Sequence, residues 1–454
     1  MAAGQWIRAR RKAKKWSQTR LGAVLGVTQV TVSLWETGKR EPDAKQLEQL
    51  RSVLDEAGGA PLEVAPVQEA EAEQLPPPAP VKKTKANNGN RDKLITVSEL
   101  ESHLWEAANI LRGSPVDRTD WKSFILPMLF FKRICDVWDE EFAEAVATYG
   151  EDYEDEHRFQ VPEGCHWRDV RATPANVGTA LQNAMRGIEA ANQKHLYGVF
   201  GDAQWTNKDR LPDPLLKDLI EHFSALHLGN SRAASDVVGD AYEYLIKQFA
   251  DATNKKAGEF YTPRSVVRLM VDILDPREGE SVYDPACGTG GMLLAAVAHV
   301  RERGGDPRTF FGKLYGQEKN LTTSSVARMN LLLHGLEDFS VERGDTLRNP
   351  VFTDPATGGL ATFDCVIANP PFSLEQWGRE VWEVDPWGRA FAGLPTDSNG
   401  DMAWVQHMVK SMAAKTGRMA VVLPQGALFR GSVEGQIRRH LLEADLVEAV
   451  IGLA

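Results

Sequence analysis

Apolar positions along the chain fall into three regimes of spacing. Between residues 4 and 54 they recur at helical intervals in short pieces. Residues 8–15 read as a basic helix, residues 18–25 as a second with Ser17 as its N-cap, and Thr28 opens another that runs to about residue 36. Residues 55–92 lose the pattern. Glu, Ala and Pro dominate there, with a Pro76-Pro77-Pro78 run, and such a stretch cannot bury enough apolar surface to fold. From Leu94 helical spacing returns: Leu100, Leu104, Ala107, Ala108 and Leu111 share a face, followed by helices over 120–141 (interrupted by Pro127), 176–196, 215–226 and 236–249. From residue 280 short apolar runs alternate with helices. Strands are predicted at 280–283, 314–318, 339–343, 363–368, 418–423 and 446–451, with helices at 292–303, 322–334 and 433–442 between them. This alternation predicts an α/β fold with a doubly wound, mostly parallel sheet, behind an all-α region and a small helix-turn-helix domain. Ligands of such sheets bind at the carboxyl ends of the strands.

Composition narrows the possibilities. With 454 residues the chain has room for two or three domains. No apolar run approaches the roughly 20 residues of a membrane-spanning helix, and the start lacks the apolar core of a signal peptide, so a cytoplasmic protein is expected. Cys135, Cys165, Cys287 and Cys365 are scattered without a CxxC pair, which suggests reduced thiols, with neither a disulfide framework nor a zinc site. His166, His195, His222 and His227 are isolated in the sequence, and no metal is expected. A net charge of −11 argues against a free-standing nucleic-acid coat. Residues 1–51, however, hold eleven Lys and Arg against four Asp and Glu. If the chain meets DNA, this basic end, local patches or partners must supply the phosphate contacts.

The candidate chemistry lies in the loops after the strands. The strand at 363–368 stops at Asn369-Pro370-Pro371-Phe372. The Asn369 amide and the Pro370 carbonyl can accept the two hydrogens of an exocyclic amino group, leaving its nitrogen lone pair free, while Phe372 stacks on the attached ring. The alternative is a strand-ending turn with no chemistry. The first strand runs into Asp284-Pro-Ala286-Cys-Gly288-Thr289-Gly290-Gly291, a glycine turn that fits neither a P-loop nor the GxGxxG pattern. Glu318 ends the second strand, where an acid would accept from ribose hydroxyls; Asp345, after the third, could reach an adenine amino group. Glu259-Phe260-Tyr261-Thr262-Pro263-Arg264 leads into a helix over 266–274, with Pro263 in its first turn and Thr262 as its cap, a natural seat for a carboxylate.

Residues 229–454 resemble the amino-methyltransferases that use S-adenosylmethionine, and specifically the N6-adenine DNA methyltransferases. The likeness rests on Phe260-Tyr261-Thr262-Pro263, the glycine turn 284–291 and Asn369-Pro370-Pro371-Phe372. With the helical residues 93–228, the chain resembles the modification subunit of type I restriction–modification systems. The resemblance implies S-adenosylmethionine as cofactor, held by residues 259–264, Asp284, Ala286, Gly288, Thr289, Gly290, Gly291, Glu318 and Asp345. It implies methylation of a flipped-out adenine in double-stranded DNA by residues 369–372, and a specificity subunit as partner, with the restriction subunit as a further candidate. The pattern across 17–38 resembles the Cro/repressor-type helix-turn-helix, which would offer Thr28, Gln29, Val30, Thr31 and Ser33 to a DNA groove. A basic bundle with no DNA role is the alternative, and the module is not a usual part of the family. The expected division is 1–54 helix-turn-helix, 55–92 linker, 93–228 helical domain and 229–454 methyltransferase domain. Family members continue past Gly452 into a seventh strand, so that last domain is expected to be truncated. Rival readings are a protein-glutamine or RNA amino-methyltransferase, and a non-catalytic DNA-binding regulator.

Overall fold

The computed structural model describes residues 94–150, 156–252 and 262–453 throughout, and of the first 55 residues 3–14, 16, 18–25, 27, 32, 35, 36, 42 and 44–55. These divide into two compact units, one of residues 1–94 with 136–160, the other of residues 95–135 with 161–454.

In the first unit the helices Ala3–Ala13, Gln18–Leu25 and Ala44–Asp55 enclose Ile7, Leu21, Val32, Trp35, Leu50 and Leu54. The first helix begins five residues before the predicted start at Arg8. Arg11, 1 % exposed, sends Nε and Nη2 to the two carboxylate oxygens of Glu36 at 2.7 and 3.1 Å. This forked geometry compensates the desolvation of both charges. The expected DNA-contacting residues Thr28, Gln29, Val30, Thr31 and Ser33 lie outside the described residues.

The second unit opens with the helix Val97–Ile110, started by a reciprocal cap: Thr96 Oγ1 accepts from the Glu99 N–H at 3.3 Å, and the Glu99 carboxylate accepts from the Thr96 N–H at 2.9 Å. The helix Lys122–Tyr149 runs unbroken through Pro127, contrary to the expected interruption. That proline stands early in the helix, so its missing N–H removes a single bond, to Ser123. The predicted helix over 176–196 divides into Val177–Ala191 and Gln193–Leu196, because Asn192 turns its Nδ2 back onto the Ile188 carbonyl at 2.8 Å. Asp213–Ser224 and Ser235–Ala252 complete the helical part.

Five strands follow: β1 Val282–Asp284, β2 Leu314–Glu318, β3 Ser340–Arg343, β4 Cys365–Ala368 and β5 Arg418–Val421. All pairings are parallel, in the order β3-β2-β1-β4-β5. Alternate residues face opposite layers. Val282, Leu314, Cys365 and Ile367 pack beneath the helices Arg264–Leu274, Gly291–Glu302 and Leu321–Leu333. Tyr283, Val366 and Ala368 turn the other way, onto Phe363 and Met408. The chain order reverses between β1 and β4, which makes the crevice above them the topological switch point.

Two expectations are corrected here. Residues 446–451 form no strand: after the helix Ser432–Glu443 the chain does not pair with the edge of β5, the last strand of the sheet among the described residues, and Leu446, Val447, Val450 and Ile451 stay exposed. The helix Asp401–Lys410, almost wholly buried, was not anticipated; it carries Met408 under β4 and β5, and Trp404 against Leu347, Trp377 and Trp382.

Candidate active site

The carboxyl ends of β1, β2 and β4 open onto one cavity of about 1230 Å³. Its lining includes Asp284, Gly288, Glu318, Asp345, Asn369 and Pro371, so residues predicted from four separate loops share one wall. The register explains this. Val282 pairs with Cys365 and with Leu314, so β1 and its neighbours end at nearly the same height.

The glycine turn is shaped by its backbone angles. Gly288 (φ 53°) and Gly290 (φ 80°) are left-handed, which side chains resist, and Gly290 caps the helix Gly291–Glu302. A Cβ built on Gly288 or Gly291 would meet nothing within 4 Å, so the space above the turn is open to a ligand. Beneath it, Asp284 is buried and Oδ1 accepts from the Ala286 N–H at 3.0 Å. Burial pushes this carboxyl up to about 8, the hydrogen bond from Ala286 opposing and the nearby charge of Glu318 adding to the rise.

Glu318 binds the turn from the next strand. Its Oε2 accepts from the Gly288 N–H at 3.1 Å and Oε1 from the Asn320 N–H at 2.7 Å. The Lys319 N–H is a third backbone donor to this carboxylate; of its about four acceptor positions, one remains for a ligand's hydroxyl group. Burial raises its pKa as well, against those hydrogen bonds. Asp345 is less available than expected, since Oδ2 is paired with Lys319 Nζ at 2.9 Å.

Asn369 stands directly after β4. Its Nδ2 donates to Thr262 Oγ1 at 2.9 Å, and its Oδ1 is buried without a hydrogen-bond partner among the described residues. A buried acceptor left unmet is costly, and the residue that carries it lines the cavity. Phe372 is 46 % exposed, a ring free to cover a second ring. The expected role of Thr262 is corrected. The helix Arg264–Leu274 has Pro263 at its N-cap position and no side-chain cap, while the Thr262 hydroxyl is turned to Asn369. Arg264 donates to Glu243 at 2.7 Å. Glu259, Phe260 and Tyr261 lie outside the described residues.

Three supporting residues escaped the sequence reading. Gln317, fully buried, donates to the Asn349 carbonyl at 3.0 Å and accepts from the Val351 N–H at 3.1 Å, fixing the loop after β3. Thr346 Oγ1 donates to the Pro285 carbonyl at 2.6 Å, and Asn330 Nδ2 to the Thr289 carbonyl at 3.0 Å, so both brace the glycine turn. Gln317 in β2 and Asn330 within a helix were visible as polar residues in predicted elements, whereas Thr346, in a turn, left no signal. His222, read as isolated, is stacked on His103 with centroids 3.9 Å apart and planes 10° from parallel. Glu106 lies near enough to complete a possible ligand set with them. Parallel rings, however, direct their in-plane lone pairs side by side, which suits packing better than coordination.

Comparison with known proteins agrees with this layout. The N-6 DNA Methylase family profile matches residues 233–454, the HsdM N-terminal domain residues 100–223, and a Helix-turn-helix profile residues 7–57. The chain is 32 % identical over 387 residues to the type I restriction enzyme MjaVII methylase subunit of Methanocaldococcus jannaschii, covering 79 % of this chain and 62 % of that protein. It is 32 % identical over 290 residues to the HindI methylase subunit of Haemophilus influenzae, covering 62 % of each. The chain thus spans about three-fifths of the length of these two curated relatives. A crystal structure of a type I restriction-modification system methyltransferase subunit from Streptococcus thermophilus superposes with a TM-score of 0.63 at 32 % identity, covering 77 % of this chain and 79 % of that one.

Proposed function

Because the chain belongs to the family of type I restriction–modification methyltransferase subunits, we propose that it transfers a methyl group from S-adenosylmethionine to N6 of adenine in double-stranded DNA. The observation that carries this reading is that Asn369, whose buried Oδ1 has no hydrogen-bond partner among the described residues, lines the same cavity as the glycine turn and Glu318.

The residues suit the cofactor. Open space above Gly288 and Gly291 accommodates a ligand close to backbone, the helix N-terminus at Gly291 offers N–H groups to a carboxylate, and Glu318 has an acceptor position left for a ribose hydroxyl. Thr262, Pro263, Arg264, Asp284, Ala286, Thr289, Gly290 and Asp345 complete the proposed binding set, with Glu259, Phe260 and Tyr261 from the preceding segment. When bound, S-adenosylmethionine supplies a methyl group on a positively charged sulfur.

The chain's own residues hold the acceptor. Thr262 receives one amide hydrogen of Asn369, which leaves Oδ1 to accept a hydrogen of the target amine. The Pro370 carbonyl accepts the other, Pro371 keeps the turn rigid, and the amine lone pair stays uncommitted. Phe372 stacks on the base, which must leave the duplex at a cost of a few kcal/mol. Positioning provides most of the acceleration.

The partners proposed are DNA, a specificity subunit that reads the sequence, and the restriction subunit of the same system, all in the cytoplasm. The division at 1–54, 55–92, 93–228 and 229–454 belongs to the same proposal. Labelled methyl from S-adenosylmethionine should appear on adenine in DNA, and Asn369→Ala should abolish transfer while cofactor binding by calorimetry stays within about twofold. Label in protein or RNA, or full activity of the variant, would overturn the reading.

A further inference from the structure

The Asn-Pro-Pro-Phe segment is held at its far end by a buried carboxylate that belongs to none of the sequence motifs. Ser373, directly after Phe372, has φ 50°, so the chain turns sharply there in a conformation that side chains resist. Its N–H donates to Asp401 Oδ1 at 2.8 Å. Asp401 is 1 % exposed at the start of the helix Asp401–Lys410. Its other oxygen, Oδ2, is paired with Arg430, and its own N–H is received by Asn399 Oδ1 at 2.9 Å. Arg430 in turn gives Nε to Glu434 at 2.7 Å, another buried acid, in the helix Ser432–Glu443.

We propose that Asp401, held by Arg430, is a positioning residue that fixes the turn at Ser373 and thereby the placement of Phe372 and the Pro370 carbonyl. This rests on the methyl-transfer reading above. A charge buried this deeply is tolerated only when both oxygens are met. Here one meets Arg430 and the other meets the strained backbone beside the reacting groups. The segment is therefore pinned twice: Thr262 holds Asn369 at one end, and Asp401 holds Ser373 at the other.

Asp401→Asn isolates this role, because an amide has one acceptor oxygen and cannot serve both Ser373 and Arg430. Asp401→Asn with Arg430→Gln, made in a Glu434→Gln background so that no buried carboxylate loses its cation, restores the balance: the new oxygen at 430 accepts the asparagine NH2, and the asparagine oxygen returns to the Ser373 N–H. The full chain, alone and with its specificity subunit, would be assayed for single-turnover methyl transfer, cofactor affinity and hydrogen exchange at the Ser373 amide. In Asp401→Asn, transfer should slow by about 10- to 100-fold, exchange at Ser373 should accelerate, and cofactor affinity should hold within about twofold. The combined variant should recover most of the rate. Unchanged transfer in Asp401→Asn, unchanged exchange at Ser373, or a loss of rate that tracks lost cofactor binding and is not recovered in the combined variant would each overturn the assignment. A parent chain that methylates no adenine under either condition instead defeats the functional reading on which it rests.

Discussion

Asp284 is an acid that the fold keeps in its protonated form at neutral pH. Its carboxyl is pushed up to about 8 by burial, so between the ordinary aspartate value and 8 the folded chain holds a proton that the unfolded chain has released. This contribution is fully present at low pH and is lost as pH rises through that window, with a slope of up to about 1.4 kcal/mol per pH unit. Asp284→Asn removes it. Thermal melts of ligand-free protein from pH 5 to 8 should therefore show the variant gaining on its parent as pH rises; parallel curves would show that Asp284 is already ionised. His407 works in the opposite sense. Buried beside Tyr283 and lowered to about 3, it is neutral when folded, so stability is lost as pH falls below its ordinary value near 6.5. His407→Phe should flatten the loss between pH 6 and pH 4 in denaturant titrations, and an undiminished loss would assign the acid sensitivity elsewhere. At this scale the sequence was legible where chemistry leaves a pattern, as in Asn369-Pro370-Pro371 and Gly288-Thr289-Gly290. It was silent on Asp401, because the helix that Asp401 opens was not anticipated and the burial of a lone acid leaves no pattern.

Between elements, the glycine turn depends on what lies beneath it. Gly316 in β2 faces Cys287, and a Cβ there would come within 2.9 Å of its sulfur and 3.1 Å of its Cβ. Gly316→Ala must push the turn upward, costing about 1–3 kcal/mol by overpacking. It should also weaken cofactor binding beyond what the stability loss alone produces, measured by calorimetry well below the melting midpoint. Affinity equal to the parent's would show that the turn absorbs the methyl without moving. The elements themselves were readable when their spacing was strong: Leu314–Glu318 and Gln18–Leu25 fall where the pattern puts them. Misreadings came where a tertiary contact outweighed a local rule. Pro127 sits inside a continuous helix, Asn192 ends one by bonding backward, and Thr262 turns from capping to hold Asn369. The segment 446–451 has strand composition but no ladder, and composition alone cannot report whether a strand finds a pairing edge.

Across the whole molecule, charge is divided between regions. Residues 1–51 carry eleven Lys and Arg against four Asp and Glu, while the other 403 residues carry 41 against 59. On the proposed function, the basic end supplies sequence-independent attraction to DNA, which salt should weaken. Deleting residues 1–54 should reduce the affinity for DNA at low salt and flatten its dependence on salt concentration, with an unchanged dependence placing the phosphate contacts elsewhere. Composition changes sharply at residues 55 and 93 and is legible as such; the pairing of β1 with β4 was not, since sequence order does not state which strands are neighbours.

The hydrogen bond from Asn369 to Thr262 has a corollary for binding. Thr262 ends the segment proposed to grip the methyl donor, so whatever settles that segment also settles the amide across the crevice. Loading of the donor and readiness to receive the base become thermodynamically linked, each improving the other by the same factor. On this reading an extruded base that arrives at an empty donor site finds a poorly fixed partner, and a donor that arrives without a base is held less firmly by the same factor.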